Sequence, residues 1–248
     1  MRKVLLVTGG GRGIGAATCI LAAQKGWDVA VNYTANADAA QLVVKQIQDA
    51  GARAMAVQAD VADEGQVLAM FKRVKAELGP LQGLVNNAGV IDVTARLDEM
   101  SMARWRRMFD VNVLGSMLCA REAVLQMSTK HGGQGGSIVN LSSAASRLGA
   151  AGQYLDYAAA KGAIDSLTLG LAKEVAGEGI RVNTVRPGLI DTEIHASGGL
   201  PNRVKDLEHL VPAKRGGSAM EVAQAIVWLL SEEASYTTMS LIDVSGGR

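Results

Sequence analysis

The sequence predicts a doubly wound α/β domain, with one parallel sheet of about seven strands and helices on both faces. Short β-branched runs alternate with longer helical patterns along the chain. The strand runs are apolar throughout (VLLV at 4–7, VAVN at 29–32, SIVNL at 137–141), as strands covered on both faces require. Crossovers between such strands are right-handed, which winds the sheet both ways from its first strand.

The elements follow in order. Val4 to Thr8 is an apolar run closed by glycines and reads as a strand; Gly13 to Lys25 is a helix by its length. Asp28 to Tyr33 is the second strand and Asp38 to Ala50 a helix. Ala52 to Gln58 is the third strand and Asp63 to Leu78 a helix. Leu84 to Asn86 carries a short fourth strand, followed by one long helix from about Met102 to Met127. Gly136 to Leu141 is the fifth strand, Tyr157 to Ala176 a helix and Ile180 to Val185 the sixth strand. A helix over Ala219 to Leu230 and a strand over Leu241 to Val244 close the pattern. Between them, Leu189 to Gly217 is the least regular segment. The pairs Gly198–Gly199 and Gly216–Gly217 mark it as a mobile lid, with an ordinary surface loop as the alternative.

Residues 1–248 suit one large domain with a substantial core. The chain is 48% hydrophobic and 20% charged, a globular balance. Its formal charge is +1, with basic residues scattered, so no concentrated basic surface for nucleic acid is expected. Cys19 and Cys119 lie in apolar helical stretches and read as buried thiols in a reducing compartment. The apolar run in MRKVLLVTGG is too short for a secretion signal, and no stretch of ~20 apolar residues suggests a membrane span. A cytoplasmic location is expected. His131, His195 and His209 show no metal-ligand spacing, so no metal is expected; His195 is placed to line the lid.

The first strand runs into Thr8-Gly9-Gly10-Gly11-Arg12-Gly13-Ile14-Gly15. Glycines there permit a tight turn and close approach to a pyrophosphate, which the next helix meets with its N-terminal amides. Gly9, Gly13 and Gly15 give G-x-x-x-G-x-G, not the strict G-x-G-x-x-G. No Gly-Lys-Ser/Thr follows, which excludes a P-loop. A dinucleotide rests its adenosine on the ends of the second and third strands. Tyr33 and Thr34 end the second without the carboxylate that an NAD site places there; Asp28 is at the wrong end, and Asp38 is on the next helix. Arg12 can fork onto a 2′-phosphate, so NADP is favoured over NAD. Asp60, beside Val61, suits the adenine amino group or, equally by type, the N-cap of the following helix.

Thr8-Gly9-x-x-x-Gly13-x-Gly15, Asn86-Asn87-Ala88-Gly89, Tyr157-x-x-x-Lys161 and Arg186-Pro187-Gly188 stand in the order of a known family. The chain resembles the short-chain dehydrogenases/reductases, single-domain Rossmann enzymes, from its first strand to Val244-Ser245-Gly246-Gly247. It is similar to their 3-oxoacyl-carrier-protein reductase and glucose 1-dehydrogenase branches. The resemblance implies a catalytic tetrad of Asn112, Ser143, Tyr157 and Lys161. It also sets Asn87, Ala88 and Gly89 beside the cofactor ribose, and Pro187, Gly188, Ile190 and Thr192 around the nicotinamide. A homotetramer is implied, paired through the two long helices.

Physical chemistry points the same way. Tyr157 and Lys161 are one helical turn apart, and an ammonium beside a phenol lowers a pKa that starts near ~10. Ser142 competes with Ser143 at the end of the fifth strand. Gly152 to Tyr157 is one residue longer than in the carrier-protein reductases, so Tyr154 competes with Tyr157. Tyr154 has no lysine four residues on and is placed on the rim of the substrate pocket. Asn112 is a mediocre helix former at mid-helix, suited to diverting backbone hydrogen bonds and holding a water. The expected reaction is NADP(H)-dependent interconversion of a small carbonyl compound and a secondary alcohol. Tyr157 moves the proton, Ser143 bonds the oxygen, and Lys161 holds the ribose. The alternatives are an NAD-dependent alcohol or sugar dehydrogenase and a non-catalytic dinucleotide-binding regulator.

Overall fold

Leu5 and Val7 face one side of the first strand while Val4 and Leu6 face the other, and the two cores of the molecule grow from that alternation. The computed structural model describes residues 2–248. In chain order its elements are β1 (Lys3–Val7), α1 (Gly13–Gln24), β2 (Trp27–Tyr33), α2 (Ala37–Asp49), β3 (Ala54–Gln58), α3 (Glu64–Glu77) and β4 (Leu81–Asn86). There follow α4 (Met102–Phe109), α5 (Gly115–Met127), β5 (Gly136–Leu141), α6 (Ala145–Leu148), α7 (Leu155–Val175) and β6 (Ile180–Pro187). The rest are β7 (Ile190–Asp191), α8 (Ile194–Ser197), α9 (Arg203–Leu207), β8 (Gly217–Ser218), α10 (Ala219–Leu230) and β9 (Leu241–Val244).

Seven strands form one sheet in the order β3-β2-β1-β4-β5-β6-β9, every pair parallel. Cys19, Val43 and Ile226, from α1, α2 and α10, pack on one face with Leu5 and Val7. Phe71, Cys119 and Val175, from α3, α5 and α7, pack on the other with Val4 and Leu6. The two cysteines therefore lie on opposite faces of the sheet, both buried. Burial pushes the Cys119 thiol up to about 12, the state of an inert packing thiol. The chain reverses direction across β1, so the carboxyl ends of β1 and β4 open the crevice where such sheets bind ligands.

Three expectations are corrected. β4 begins at Leu81 rather than Leu84. Gly83, which interrupts the apolar run, sits where a Cβ would come within 2.9 Å of the Trp27 ring, so a close approach demands glycine inside a strand. The long helix at 102–127 is broken by a π-helical turn at Asp110–Leu114. The segment 189–217 is not featureless. β7 and β8 pair in parallel and join its two ends, with Ile190 opposite Gly217. Its glycines serve close contacts: a Cβ at Gly198 would meet Ile91 at 2.6 Å, and one at Gly216 would meet Val204 at 2.4 Å.

Candidate active site

The loop after β1 is built for backbone approach. A Cβ at Gly15 would stand 2.3 Å from the Gly9 carbonyl oxygen and 2.6 Å from Asn87 Nδ2, so only glycine lets the helix start this close to the loop. Gly9 and Gly13 adopt positive φ of 62° and 53°. Asn32 braces the loop: its Oδ1 accepts from the Gly9 amide at 3.1 Å and its Nδ2 donates to the Ala59 carbonyl at 3.0 Å. A buried asparagine inside an apolar strand was a signal the sequence offered and our reading left unused.

The amino end of α1 has no side-chain cap and no acid in its first turn. By contrast α2, α3, α4 and α10 are capped by Asn36, Asp63, Ser101 and Ser218. An uncapped helix start beside a glycine loop suits an anion, and a dinucleotide pyrophosphate fits the residues present. Arg12 is exposed at this end, and among the described residues it forms no ion pair. Beyond β2, Tyr33 is half-buried and Thr34 exposed, with the Thr34 carbonyl accepting from Gln58 at 2.9 Å. Asp28 is engaged by Arg53 at 2.7 Å at the opposite end of the strand. Asp60 accepts from the Ala62 amide at 3.0 Å, while Asp63 caps α3, which removes the N-cap alternative for Asp60. The Val61 side chain is buried against Gly115.

The loop after β4 is pinned to the loop after β1. Thr8 Oγ1 accepts from the Asn87 and Ala88 amides, both at 3.0 Å, and Asn87 Nδ2 donates to the Thr8 and Gly9 carbonyls at 2.8 and 2.9 Å. Asn112 lies in the π-helical turn and is fully buried. Its Nδ2 donates to the Val90 carbonyl at 3.0 Å and its Oδ1 accepts from the Val90 amide at 3.1 Å. Such a turn frees backbone groups that an α-helix would consume. Gly89 marks where Asn112 and Lys161 converge, since a Cβ there would lie 2.7 Å from Asn112 Oδ1 and 3.6 Å from Lys161 Nζ.

A cavity of about 210 Å³ opens beside these loops. Ser143, Tyr157, Lys161, Pro187, Gly188 and Thr192 all line it, as do Ile14, Asn87, Gly89 and Ile190. Lys161 Nζ donates to the Leu141 carbonyl at 2.7 Å and stands 5.5 Å from the centroid of the Tyr157 ring. Burial lowers the lysine to about 8, against the pull of Asp165 one turn along α7. Arg186 holds Asp165 in place at 2.8 Å. Burial raises the Tyr157 phenol to about 12, with the Ser143 hydroxyl acting in the opposite direction. The expected lowering by Lys161 is not found: burial dominates, because an enclosed phenolate loses more hydration than the Ser143 hydrogen bond restores. Ser142 and Ser143 both line the cavity; the Ser142 hydroxyl donates to the Lys161 carbonyl at 3.0 Å, while Ser143 Oγ accepts from the Ala145 amide at 3.1 Å. Tyr154 also lines the cavity, 5% exposed, under the Arg203 guanidinium at 5.1 Å. His195, from the 189–217 segment, also lines the cavity, its Nε2 2.8 Å from the Ile190 oxygen. Among the described residues no cluster of acidic, histidine or cysteine side chains suits a metal, and no helix is long and apolar enough to cross a membrane.

Residues 9–248 match the family model described as enoyl-(acyl carrier protein) reductase. The chain is 56% identical, over 99% of each chain, to an uncharacterized oxidoreductase of Escherichia coli. It is 40% identical to a cis-4-hydroxycyclohexanecarboxylate dehydrogenase of Sinomonas cyclohexanicum, over 99% of this chain and 96% of that one. A solved short-chain dehydrogenase/reductase of Serratia marcescens shares 33% identity and superimposes with a TM-score of 0.91, covering 99% of this chain and 97% of the other. The chain is a short-chain dehydrogenase/reductase. It also matches the 3-oxoacyl-carrier-protein reductase of Staphylococcus aureus at 37% identity, over 100% of this chain and 98% of that one, which sets its branch. As a member of this family it is an oxidoreductase of carbonyl and alcohol groups that uses NAD(P).

This short-chain dehydrogenase/reductase holds its site on a buried polar chain that sequence reading missed. Asn86 donates to Asn140 at 2.9 Å, Asn140 to Thr168 at 2.9 Å, and Thr168 meets Thr184 at 2.6 Å. The chain ties β4, β5, α7 and β6 together beneath the site. Each residue alone looks like an isolated polar intrusion into an apolar run, and only the tertiary pairing explains it.

Proposed function

We propose that the protein is an NADP(H)-dependent reductase of a carbonyl compound to a secondary alcohol, with Tyr157 as general acid and base. The observation that carries this is the convergence of Ser143, Tyr157 and Lys161 on one cavity beside the glycine loop. When bound, the nicotinamide supplies or accepts the hydride. The Tyr157 phenol, raised to about 12, is protonated at neutral pH and donates that proton to the carbonyl oxygen. Ser143 donates a hydrogen bond to the same oxygen as charge develops on it. Lys161, fixed on the Leu141 carbonyl, presents its remaining N–H groups to the ribose hydroxyls and to the phenol. Asn112 opens the helix where a water can pass protons between Lys161 and solvent.

Arg12 and the missing carboxylate beyond Tyr33 support NADP over NAD, with Gly9, Gly11, Gly13, Ile14 and Gly15 cradling the pyrophosphate. Tyr33, Thr34, Asp60 and Val61 then flank the adenosine. Asn87, Ala88 and Gly89 flank the ribose, and Pro187, Gly188, Ile190 and Thr192 the nicotinamide. The 189–217 segment acts as the substrate lid. Phe109 before the π turn, Met117 beyond it and Leu169 on α7 are exposed apolar side chains, which supports a homotetramer paired through these helices. The same reading places the enzyme in the cytoplasm, in keeping with two buried, unbridged cysteines.

One experiment tests the core of it. A panel of ketones, keto acids and 3-oxoacyl thioesters, extended to 4-oxocyclohexanecarboxylate because a relative bears that dehydrogenase name, is assayed by loss of reduced-nicotinamide absorbance. Turnover of at least one carbonyl with NADPH is expected. Tight cofactor binding with no turnover across the panel would instead favour a dinucleotide-binding regulator.

A further inference from the structure

The charged side chains of the cavity are all of one sign. Besides Lys161 it is lined by two arginines, Arg203 and Arg248, and among its lining residues there is no aspartate or glutamate. Most of the remaining wall is apolar, including Ile91, Ala145, Leu148 and Ile194. Neither arginine forms an ion pair among the described residues. The main-chain oxygen of Arg248 accepts from Arg147 at 3.0 Å.

Arg203 is held in place by neutral groups. Its guanidinium lies over the Tyr154 ring at 5.1 Å, and Nη2 donates to Gln153 Oε1 at 2.6 Å. Of its guanidinium nitrogens only Nη2 has a hydrogen-bond partner among the described residues, so the other N–H groups are left as donors. Burial lowers Arg203 from the ordinary arginine value, Tyr154 pulls the other way and the charge of Arg248 adds to the lowering, so the cation is partly stripped of water. The Tyr154 hydroxyl beneath it is buried and has no hydrogen-bond partner. A partly desolvated cation in a pocket with no acidic side chain is costly unless a ligand completes it.

We propose that Arg203, with Arg248 as its neighbour, is the specificity determinant for a substrate carboxylate, so that the preferred substrates are compact oxo acids and hydroxy acids. The inference rests on the carbonyl reductase reading for its reacting end. The carboxylate lies on the lid side of the cavity, and the carbonyl lies at Ser143 and Tyr157. The planar fork of arginine matches the two oxygens of a carboxylate. The apolar wall between the ends accepts a short hydrocarbon spacer. A neutral ester or amide of the same shape leaves the cation unpaired and is rejected, which is how a site built around one polar partner discriminates.

Two measurements test it. In the first, kcat/KM is compared for 4-oxopentanoate and 5-oxohexanoate, each against its own methyl ester, with saturating NADPH. A preference for the acids of about tenfold or more is expected in the native chain, falling below about threefold in Arg203→Met. In the second, calorimetry compares cyclohexanecarboxylate with cyclohexanecarboxamide, both unreactive, in the presence of NADP. The native chain should bind the acid at least about tenfold tighter, and Arg203→Met should bind the two alike. Equal treatment of acids and neutral analogues by the native chain overturns the proposal whether or not the variant folds. So does a preference that survives in folded Arg203→Met. If the binding preference stands while no carbonyl is reduced, the proposal holds and the reductase reading falls; if neutral ketones are reduced as well as acids, the reverse is true.

Discussion

The Lys161 ammonium stands 5.5 Å from the centroid of the Tyr157 ring, one helical turn along α7, with both groups inside the same cavity wall. The lysine is anchored by the Leu141 carbonyl at the end of β5, so its distance to the phenol is set by sheet and helix together. Four expectations follow from this arrangement and its surroundings.

Tyr157→Phe removes one hydroxyl and little packing. It should lower kcat by ~10²–10⁴-fold while leaving the Kd for cofactor close to native, since the lost group is the proposed proton donor. Lys161→Ala should weaken cofactor binding and slow the chemistry together. Tyr154→Phe should retain most of kcat. Steady-state kinetics at saturating cofactor separate these effects. Loss of kcat in Tyr154→Phe with a near-native Tyr157→Phe would mean that the neighbouring tyrosine is the acid.

Folding lowers Lys161 from the ordinary lysine value of 10.5 to about 8. Between those values the unfolded chain holds a proton that the folded chain has released, so this residue makes stability rise with pH across that window. Relative to Lys161→Met, the native chain should gain on the order of 3 kcal/mol across it. Tyr157 acts oppositely, from its ordinary value of 10 up to about 12, so the comparison stops at pH 10. Urea unfolding at several pH values reads the difference, and a pH-independent difference would show the lysine charged throughout.

NADPH should bind more tightly than NADH, by about tenfold or more, the size of one charge-assisted fork. Arg12→Gln should remove most of that gap. Fluorescence titration of both cofactors measures it. Equal or tighter NADH binding would point to an NAD-dependent dehydrogenase.

Hydrogen exchange should find the interior of 189–217 open without ligand and protected with cofactor plus substrate. The Gly217 amide donates to the Leu189 carbonyl at 2.9 Å, so it should stay protected in both states while the helices between exchange. Strong protection of the whole segment without ligand would make it a fixed wall.

By itself the sequence determined the strand order's raw material, the glycine loop, and the pairing of Tyr157 with Lys161. These are local facts: apolar runs of strand length, glycine where backbone must come close, and two side chains one turn apart on a helix. Tertiary structure decided what depends on a partner far along the chain. It engaged the Ser142 hydroxyl with the Lys161 carbonyl on α7, and it broke the long helix with a π-helical turn at Asn112, which bonds to Val90. It required Gly83 beneath Trp27 within a strand that sequence reading had begun too late. It also set Arg203 over Tyr154, 49 positions apart in sequence, in a cavity with no aspartate or glutamate among its lining residues. Charge balance in a cavity and the net shift of a buried phenol depend on what surrounds each group in space. Neighbours along the chain do not specify that surrounding, and the folded packing does.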